Sequence, residues 1–290
     1  MSEETKMRVL IGYNGTDFAK AAIEDLSRAG MPEHADALVL TVAELCFPTV
    51  KPDEAENVAA EGAARISEIF PKWTVTAQTS KGAPIREILA AADLFHPDVI
   101  VLGEPNKPNG VNNAFLGPVS QGILTDGSTA LRITRQREEI HVGPPRLIVG
   151  FDGSDGAELA INAIATRFWP KGTSVRLLSI DDTGVLGTIG RLSPQMRAAA
   201  VGAGFASRWA ETLASHALKQ LSEAGLDASV EVRSGHPQNA LIEAADEWNA
   251  DTIFVGPHVP GNSFERFLLG SVSASVAAHA NCTVEIVRKP

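Results

Sequence analysis

The feature that most constrains this chain is a repeat of its own opening. The stretch "RVLIGYNGTD", Arg8 to Asp17, returns as "RLIVGFDGSD", Arg146 to Asp155, at an offset of 146 − 8 = 138. Each copy is an apolar run, then Gly, an aromatic residue, Asn or Asp, Gly, a hydroxyl residue and Asp. Two further segments, "KGAPIREILAAADLFHPDVIVLG" and "SGHPQNALIEAADEWNADTIFVG", match at 235 − 82 = 153, pairing Pro84 with Pro237, Asp98 with Asp251 and Gly103 with Gly256. The same offset carries Gly117 to Gly270 and Arg135 to Arg288. The second copy has therefore gained 153 − 138 = 15 residues, placed within "DTGVLGTIGRLSPQMRAAAVGAG". A unit this long is a duplicated domain, since solenoid repeats run to about 20–50 residues and are more numerous. Charge, Gly and paired Pro in "QREEIHVGPP" set the expected boundary, giving domains 1–140 and 141–290.

Within each copy, short Val-, Ile- and Leu-rich runs alternate with helix-period segments. In the first, "MRVLIGY", "DALVLTVAE", "TVTAQTS", "PDVIVLG" and "ALRITR" read as strands, with helices over "DFAKAAIEDLSRA", "EAENVAAEGAARISEIF" and "PIREILAAADLF". The second offers "PRLIVGF", "SVRLLSI", "ASVEVRS", "DTIFVG" and "TVEIVR", with helices beginning near Asp155, Pro194 and Pro237. A fourth helix is expected after Gly117 and after Gly270. Continuous apolar strands between amphipathic helices predict α/β architecture: two doubly wound domains, each a parallel sheet with helices on both faces. The last strands, "ALRITR" and "TVEIVR", are the edges expected to pair the copies.

Composition narrows the function classes. Lys plus Arg minus Asp plus Glu is 25 − 35 = −10, and no basic cluster offsets it, which argues against nucleic acid and acidic membranes as partners. Two cysteines, Cys46 and Cys282, make no disulfide framework. No apolar stretch approaches the ~20 residues of a membrane helix, so the expected location is cytoplasmic.

Ligands of doubly wound sheets gather beyond the carboxyl ends of strands, where connections diverge. In the second copy Asp152 ends the first strand and Gly256 the fourth. Between them the residues "GPHVPGNSFERFLLGSVSASV" lead into a helix starting near Gly270 and Ser271. Gly270 permits close backbone approach, and the amides and hydroxyls of Ser271 and Ser273 suit phosphate oxygens at a positive helix end. A capped turn is the structural alternative.

These segments resemble the universal stress protein family over almost the full length, as two tandem domains. "ERFLLGSVSASVAAHANCTVEIVR" is similar to the end of that fold and "FDGSDGAELAI" to its opening. The resemblance implies a five-stranded parallel sheet of order 3-2-1-4-5, of the adenine nucleotide alpha hydrolase-like type, with domains often paired through the last strand. It also implies ATP or another adenine nucleotide, held by a glycine loop G-x2-G-x9-G-S/T, possible magnesium and possible homodimers. Carried onto this chain, the candidate nucleotide residues are Asp152, Gly153, Ser154, Ile180, Gly256, His258, Gly261, Gly270, Ser271, Val272 and Ser273. Asp152 is expected to meet ribose or magnesium, and Ile180 to meet adenine through its backbone. Val259 stands at the second glycine position and the Gly256–Gly270 spacing is one residue long, with Gly261 as the compensating glycine. In the first copy Asn14 replaces Asp152, Asn106 the second glycine and Pro118 the terminal hydroxyl residue. Pro118 supplies neither an amide hydrogen nor a hydroxyl. That half is expected to be principally structural.

Other signals read as structure. "DGSDG" lacks the spaced oxygens of a calcium loop, Ser154 lacks a G-x-S-x-G frame, and neither a Walker lysine motif nor an early G-x-G-x-x-G is present. His279 and Cys282 are too few for zinc and read as packed residues. Trp209 and Trp248 read as core. Asp152, Asp181 and Asp182 end strands, where solvation and capping compete with a metal role. Arg266 is a helix-side charge or a phosphate contact. The expected function is nucleotide-dependent regulation or partner recognition in a stress response, with slow ATP hydrolysis at most. Against it stand a nucleotide-independent scaffold or chaperone-like module and, third, a hydrolase or nucleotidyl-transfer enzyme using the crevice aspartates.

Overall fold

The computed structural model describes residues 6–44, 49–105, 116–136, 141–181, 205–257 and 270–288, with the backbone alone at 181 and 205–211. The first half contains strands β1 (Met7–Gly12), β2 (Ala35–Ala43), β3 (Thr74–Lys81), β4 (Val99–Glu104) and β5 (Ala130–Arg135). Its helices are α1 (Asp17–Asp25), α2 (Ala55–Ile69), α3 (Pro84–Phe95) and α4 (Pro118–Asp126). The second half contains β6 (Arg146–Gly150), β7 (Ser174–Asp181), β8 (Asp227–Ser234), β9 (Thr252–Val255) and β10 (Thr283–Ile286). Its helices are α5 (Asp155–Ala165), α6 (Phe205–Glu223), α7 (Pro237–Trp248) and α8 (Ser271–His279). The 15-residue gain and the helix expected near Pro194 lie outside the described residues.

The strands join in one ten-stranded sheet of order β3-β2-β1-β4-β5-β10-β9-β6-β7-β8. Each set of five thus has the order 3-2-1-4-5. Every pairing is parallel except β5 with β10, which is antiparallel. Central strands such as β4 are buried along their apolar runs because helices cover both faces. The outer strands β3 and β8 are largely polar, β3 mostly exposed and β8 mostly half-buried, which blunts the sheet edges. Duplication shows in the caps as well. Helices α3 and α7 each start with Pro at the first turn and end on a left-handed residue, His96 (φ 49°) and Asn249 (φ 50°).

The two faces of the sheet are joined differently. On the face of α3, α4, α7 and α8, one apolar cluster runs across the junction, from Leu10 and Ile100 through Leu131 and Ile133 to Val284 and Ile286. On the face of α1 and α5, two separate clusters form, one around Val9, Ile23 and Val101 and one around Val149, Ile161 and Phe254. Charged side chains fill the space between them. Arg132 and Glu285 face each other directly across the antiparallel pair, both fully buried, 2.9 Å apart. Arg132 also pairs with Asp25 at 2.7 Å and donates to Thr252 Oγ1, while Arg167 forks onto Glu285.

On the apolar face two arginines exchange places. Arg135, at the end of β5, donates to the carbonyls of Ala278 and Ala280 at the close of α8. Arg288, its partner in the repeat, donates to Leu124 and Gly127 at the close of α4. Each half therefore caps the last helix of the other, where a cation complements the helix dipole. Asp98 and Asp251 repeat a second device: each accepts from the amide that opens the first strand of its half, Arg8 at 2.7 Å and Arg146 at 2.8 Å.

One close approach fixes the helix that follows each first strand. A Cβ on Gly103 would lie 2.1 Å from the Phe18 carbonyl oxygen of α1, and one on Gly256 1.9 Å from the Gly156 carbonyl oxygen of α5. Gly256→Ala is expected to destabilise the protein by about 2 kcal/mol or more, because backbone rather than a flexible side chain blocks the new methyl. Gly153→Ala, where nothing lies within 4 Å but φ is +75°, is the milder comparison at about 1 kcal/mol. Urea midpoints of both variants check the ranking.

Burial by itself favours the neutral acid at Glu285, but the Arg167 and Arg132 guanidinium groups outweigh it and hold this carboxyl below its ordinary range. A lowered folded-state value gives stability that is present above the unfolded value of about 4.3 and lost as pH falls through the lower folded one. Glu285→Gln leaves two arginines short of a counter-charge and is expected to cost about 3–5 kcal/mol at neutral pH. Denaturation measured from neutral pH downward should show this cost shrinking as the unaltered protein loses the same charge.

Candidate functional site

The chain leaves β6 toward one face, through α5, and β9 toward the other, through α8, so the crevice between these adjacent strands is the switch point of the second half. A cavity of about 340 Å³ opens there. Of the expected nucleotide residues, Asp152, Ser154, Ile180, Gly256, Gly270, Ser271, Val272 and Ser273 line it, with Phe151, Pro237, Leu241 and Val255 supplying apolar wall. Gly153 is not among the lining residues; it provides the left-handed turn, φ +75°, that lets the chain pass from β6 into α5. His258 and Gly261 lie outside the described residues, as do Asn106, Val259, Arg266, Asp182 and the side chains of Asp181 and Trp209.

Two of these side chains already hold the turn together. Asp152, exposed at the end of β6, accepts from the Ser154 amide at 3.0 Å, and the Ser154 hydroxyl accepts from the Ala157 amide at 3.3 Å, capping α5. The first half repeats the former device with Asn14, whose Oδ1 accepts from the Thr16 hydroxyl at 2.6 Å and amide at 3.3 Å. The Asp–Asn exchange therefore preserves the turn and changes the charge. Both glycines after it, Gly15 and Gly153, have the same left-handed backbone.

Helix α8 starts at the cavity with Gly270 as its N-cap, which brings no side-chain acceptor to the first-turn amides. Those donors carry the positive end of the helix dipole. Ser271 is exposed at this mouth, whereas Ser273 is buried and donates its hydroxyl to the Gly256 carbonyl at 3.0 Å. The Ser273 hydroxyl is thus committed to joining α8 to β9, and its expected proton for a phosphate is already used. Gly256 has a packing reason as well, the contact with α5 described above. Among the described residues, no group of three or more His, Cys, Asp or Glu side chains is placed to hold a metal ion. His279 bonds the Ser275 carbonyl at 2.8 Å and Cys282 is buried, in keeping with their structural reading. Trp248 packs on the core under two guanidinium groups, with Arg176 4.1 Å above its ring.

The equivalent cavity of the first half is larger, about 450 Å³, and lies beyond β1 and β4. Sequence reasoning missed its central residue. Glu104, only 5% exposed, ends β4 and reaches the start of α4, where its carboxylate accepts from the Gly117 amide at 3.0 Å and from the Ser120 hydroxyl. The available signal was the repeat itself: 104 + 153 = 257 sets this acid opposite Pro257, and 120 + 153 = 273 sets Ser120 opposite Ser273. Tyr13 forms another part of the wall, its hydroxyl donating to Glu61 at 3.2 Å. Burial, followed by the negative charge and hydrogen bond of Glu61, pushes the phenol up to about 12.

The comparisons agree with this architecture. The solved structure of a universal stress protein from Archaeoglobus fulgidus DSM 4304 is similar over 98% of both chains, at 21% identity and a TM-score of 0.68. A functionally unknown protein from Pseudomonas aeruginosa PAO1 is similar over 98% of this chain and 93% of its own, at 13% identity and a TM-score of 0.63. Both show the fold across both halves. A universal stress protein from Methanocaldococcus jannaschii is 38% identical over 72 residues, which span 25% of this chain and 42% of that protein. Residues 145–288 match the family model described as the universal stress protein family, and the chain belongs to that family.

Proposed function

We propose that the second half, residues 141–290, binds ATP or another adenine nucleotide and that the protein regulates a partner in a stress response rather than working as an efficient enzyme. The observation that carries this reading is the convergence, in one cavity of about 340 Å³, of an uncapped helix start at Gly270–Ser271, the acid Asp152 and the strand end at Ile180. The volume falls in the range of small-molecule sites. The amides of Ser271 and Val272 would hold phosphate oxygens, Gly270 would let them approach, and the exposed Ser271 hydroxyl would add a donor. Asp152 would meet the ribose or contribute one carboxylate oxygen to magnesium, an ion that keeps phosphate and water as its other ligands. The Ile180 backbone would meet the base, with Leu241 and Val255 against its plane.

The acidic chain, net −10, suits a phosphate ligand only where backbone donors dominate, and α8 provides that place. No helix among the described residues is long and apolar enough to cross a membrane. A cytoplasmic location and homodimers belong to the same proposal, as does a first half, residues 1–140, whose nucleotide site is degenerate. The competing reading, a nucleotide-independent scaffold or chaperone-like module, is favoured by the hydrogen bonds that already engage Asp152, Ser154 and Ser273.

Calorimetric titration of metal-depleted protein with ATP, AMP and magnesium separates them. One saturable site is expected in the unaltered chain, weakened at least about tenfold, or 1.4 kcal/mol, by Gly270→Val with Ser271→Ala. Gly270 has φ −63° and ψ 142°, an extended conformation that valine adopts without backbone strain, and circular dichroism of the double variant checks that it folds. Asp152→Asn, which reproduces the turn made by Asn14, should remove the magnesium dependence while keeping nucleotide binding. No saturable binding, with no nucleotide released from the purified protein, favours the scaffold.

A further inference from the structure

The two cavities end on opposite chemistry. In the second half, the residue after Gly256 is Pro257, the Ser273 hydroxyl turns to the Gly256 carbonyl, and no N-cap side chain meets the amides at the start of α8. In the first half, the residue after Gly103 is Glu104, and the Ser120 hydroxyl turns to its carboxylate instead. The other carboxylate oxygen accepts from the Gly117 amide at 3.0 Å, and Pro118 removes the next amide. A buried anion belonging to the chain thus stands at the positive end of α4. Glu104 is also the strand partner of Arg135; burial pushes that guanidinium below its ordinary value, and the Glu104 charge in part offsets the shift.

Among the described residues the rest of the first cavity stays open. Leu40, Val42, Ile85, Ile88, Leu102 and Val119 form apolar walls around about 450 Å³, and the second acid among the lining residues, Glu44, adds negative charge. A phosphate entering here would meet one carboxylate in the place of its donors and another on the wall, in a setting where like charges are poorly screened. A neutral molecule meets neither obstacle.

We propose that Glu104 is an internal substitute for a phosphate and that the first cavity binds an uncharged nucleoside while refusing the corresponding nucleotide. The exclusion of phosphate rests on Glu104, with Glu44 and Pro118 beside it; the choice of a nucleoside rests on the adenine-nucleotide reading of the second half, carried across by the duplication. The two halves then sense different molecules, one phosphorylated and one not, through the same fold.

Tyr13 supplies a local probe, because it is the single tyrosine of the chain and lines this cavity. With its phenol pushed up to about 12, it stays protonated through the neutral range, so a change in its signal reports ligand rather than titration. The experiment is NMR of the full chain carrying ring-13C tyrosine, titrated in parallel with adenosine and AMP. Adenosine should shift the one tyrosine signal saturably, and AMP at equal concentration should leave it in place. Glu104→Gln, which retains an acceptor for Gly117 and a donor for Ser120, and Glu104→Ala, which empties the position, should each make AMP at least about tenfold more effective at that signal. An unchanged ligand-free Tyr13 signal verifies that both variants fold.

Two results overturn the proposal: AMP shifting Tyr13 in the unaltered chain at concentrations no higher than adenosine requires, or adenosine producing no saturable shift at millimolar concentration. Repeating the titration in Gly270→Val with Ser271→Ala separates this inference from the function of the second half. The adenosine shift should persist there, whereas the calorimetric ATP site should weaken at least about tenfold.

Discussion

The facing pair Arg132 and Glu285 lies at the centre of the molecule and decides what the two halves are to one another. Their numbers differ by 285 − 132 = 153, the offset of the repeat, so they are the same position in the two copies. The antiparallel register pairs Leu131 with Ile286 and Ile133 with Val284 on either side, which makes this pair the centre of a pseudo-twofold arrangement. In a symmetric pairing of identical strands, the residue on that axis meets itself. Two β5 strands would set arginine against arginine and two β10 strands glutamate against glutamate, like charges in buried contact even with Asp25 or Arg167 beside them. Only the mixed pairing brings opposite charges face to face. The duplication has thus diverged, at the one place where symmetry forbids complementarity, into a pair that specifies first half with second half.

That specification positions both candidate sites. Fixing β5 on β10 lets Arg135 and Arg288 reach across and cap α8 and α4, the two helices whose opposite ends open on the cavities. It also makes the apolar layer beneath those helices continuous through the junction, while the other face is held by Asp25, Arg28, Arg167 and their partners. The start of α8 and the start of α4 are consequently tied through their far ends to the other half's terminal strand. Occupation of either cavity acts on a helix whose last turn is held by the opposite half, a physical route for one half to bias the other.

Much of this was legible in the residues. Val, Ile and Leu runs marked the inner strands because parallel strands under two helical layers are buried on both faces, and the repeat fixed which strands correspond. The pairing of the last strands followed from "ALRITR" and "TVEIVR" as edges. The meaning of the charge inside each was not legible, since the sequence does not show that 132 and 285 come face to face. The site was read less completely for the same reason. A hydroxyl at a helix start identifies a donor without identifying its acceptor, and only the fold shows Ser273 turning to Gly256 and Ser120 to Glu104. Glu104 itself follows an apolar strand, where a single acid reads as the beginning of a solvated loop.

The glycines show how a family motif can mislead when taken as a list of binding residues. Gly103 and Gly256 are both retained, yet a side chain at either would strike the backbone of the helix packed over it, so the fold requires glycine whether or not a nucleotide is present. Gly15 and Gly153 are likewise held by a left-handed turn common to both halves. Retention at these positions therefore says nothing about ligand. The informative positions are those where packing is indifferent and the copies differ: Asn14 against Asp152, Glu104 against Pro257, and Pro118 against Ser271. All three exchanges change what a phosphate would meet, through a lost acid after the first strand, an added acid at the helix end, and a lost amide and hydroxyl. Their agreement across three separate elements is what divides one duplicated fold into two chemically unequal cavities.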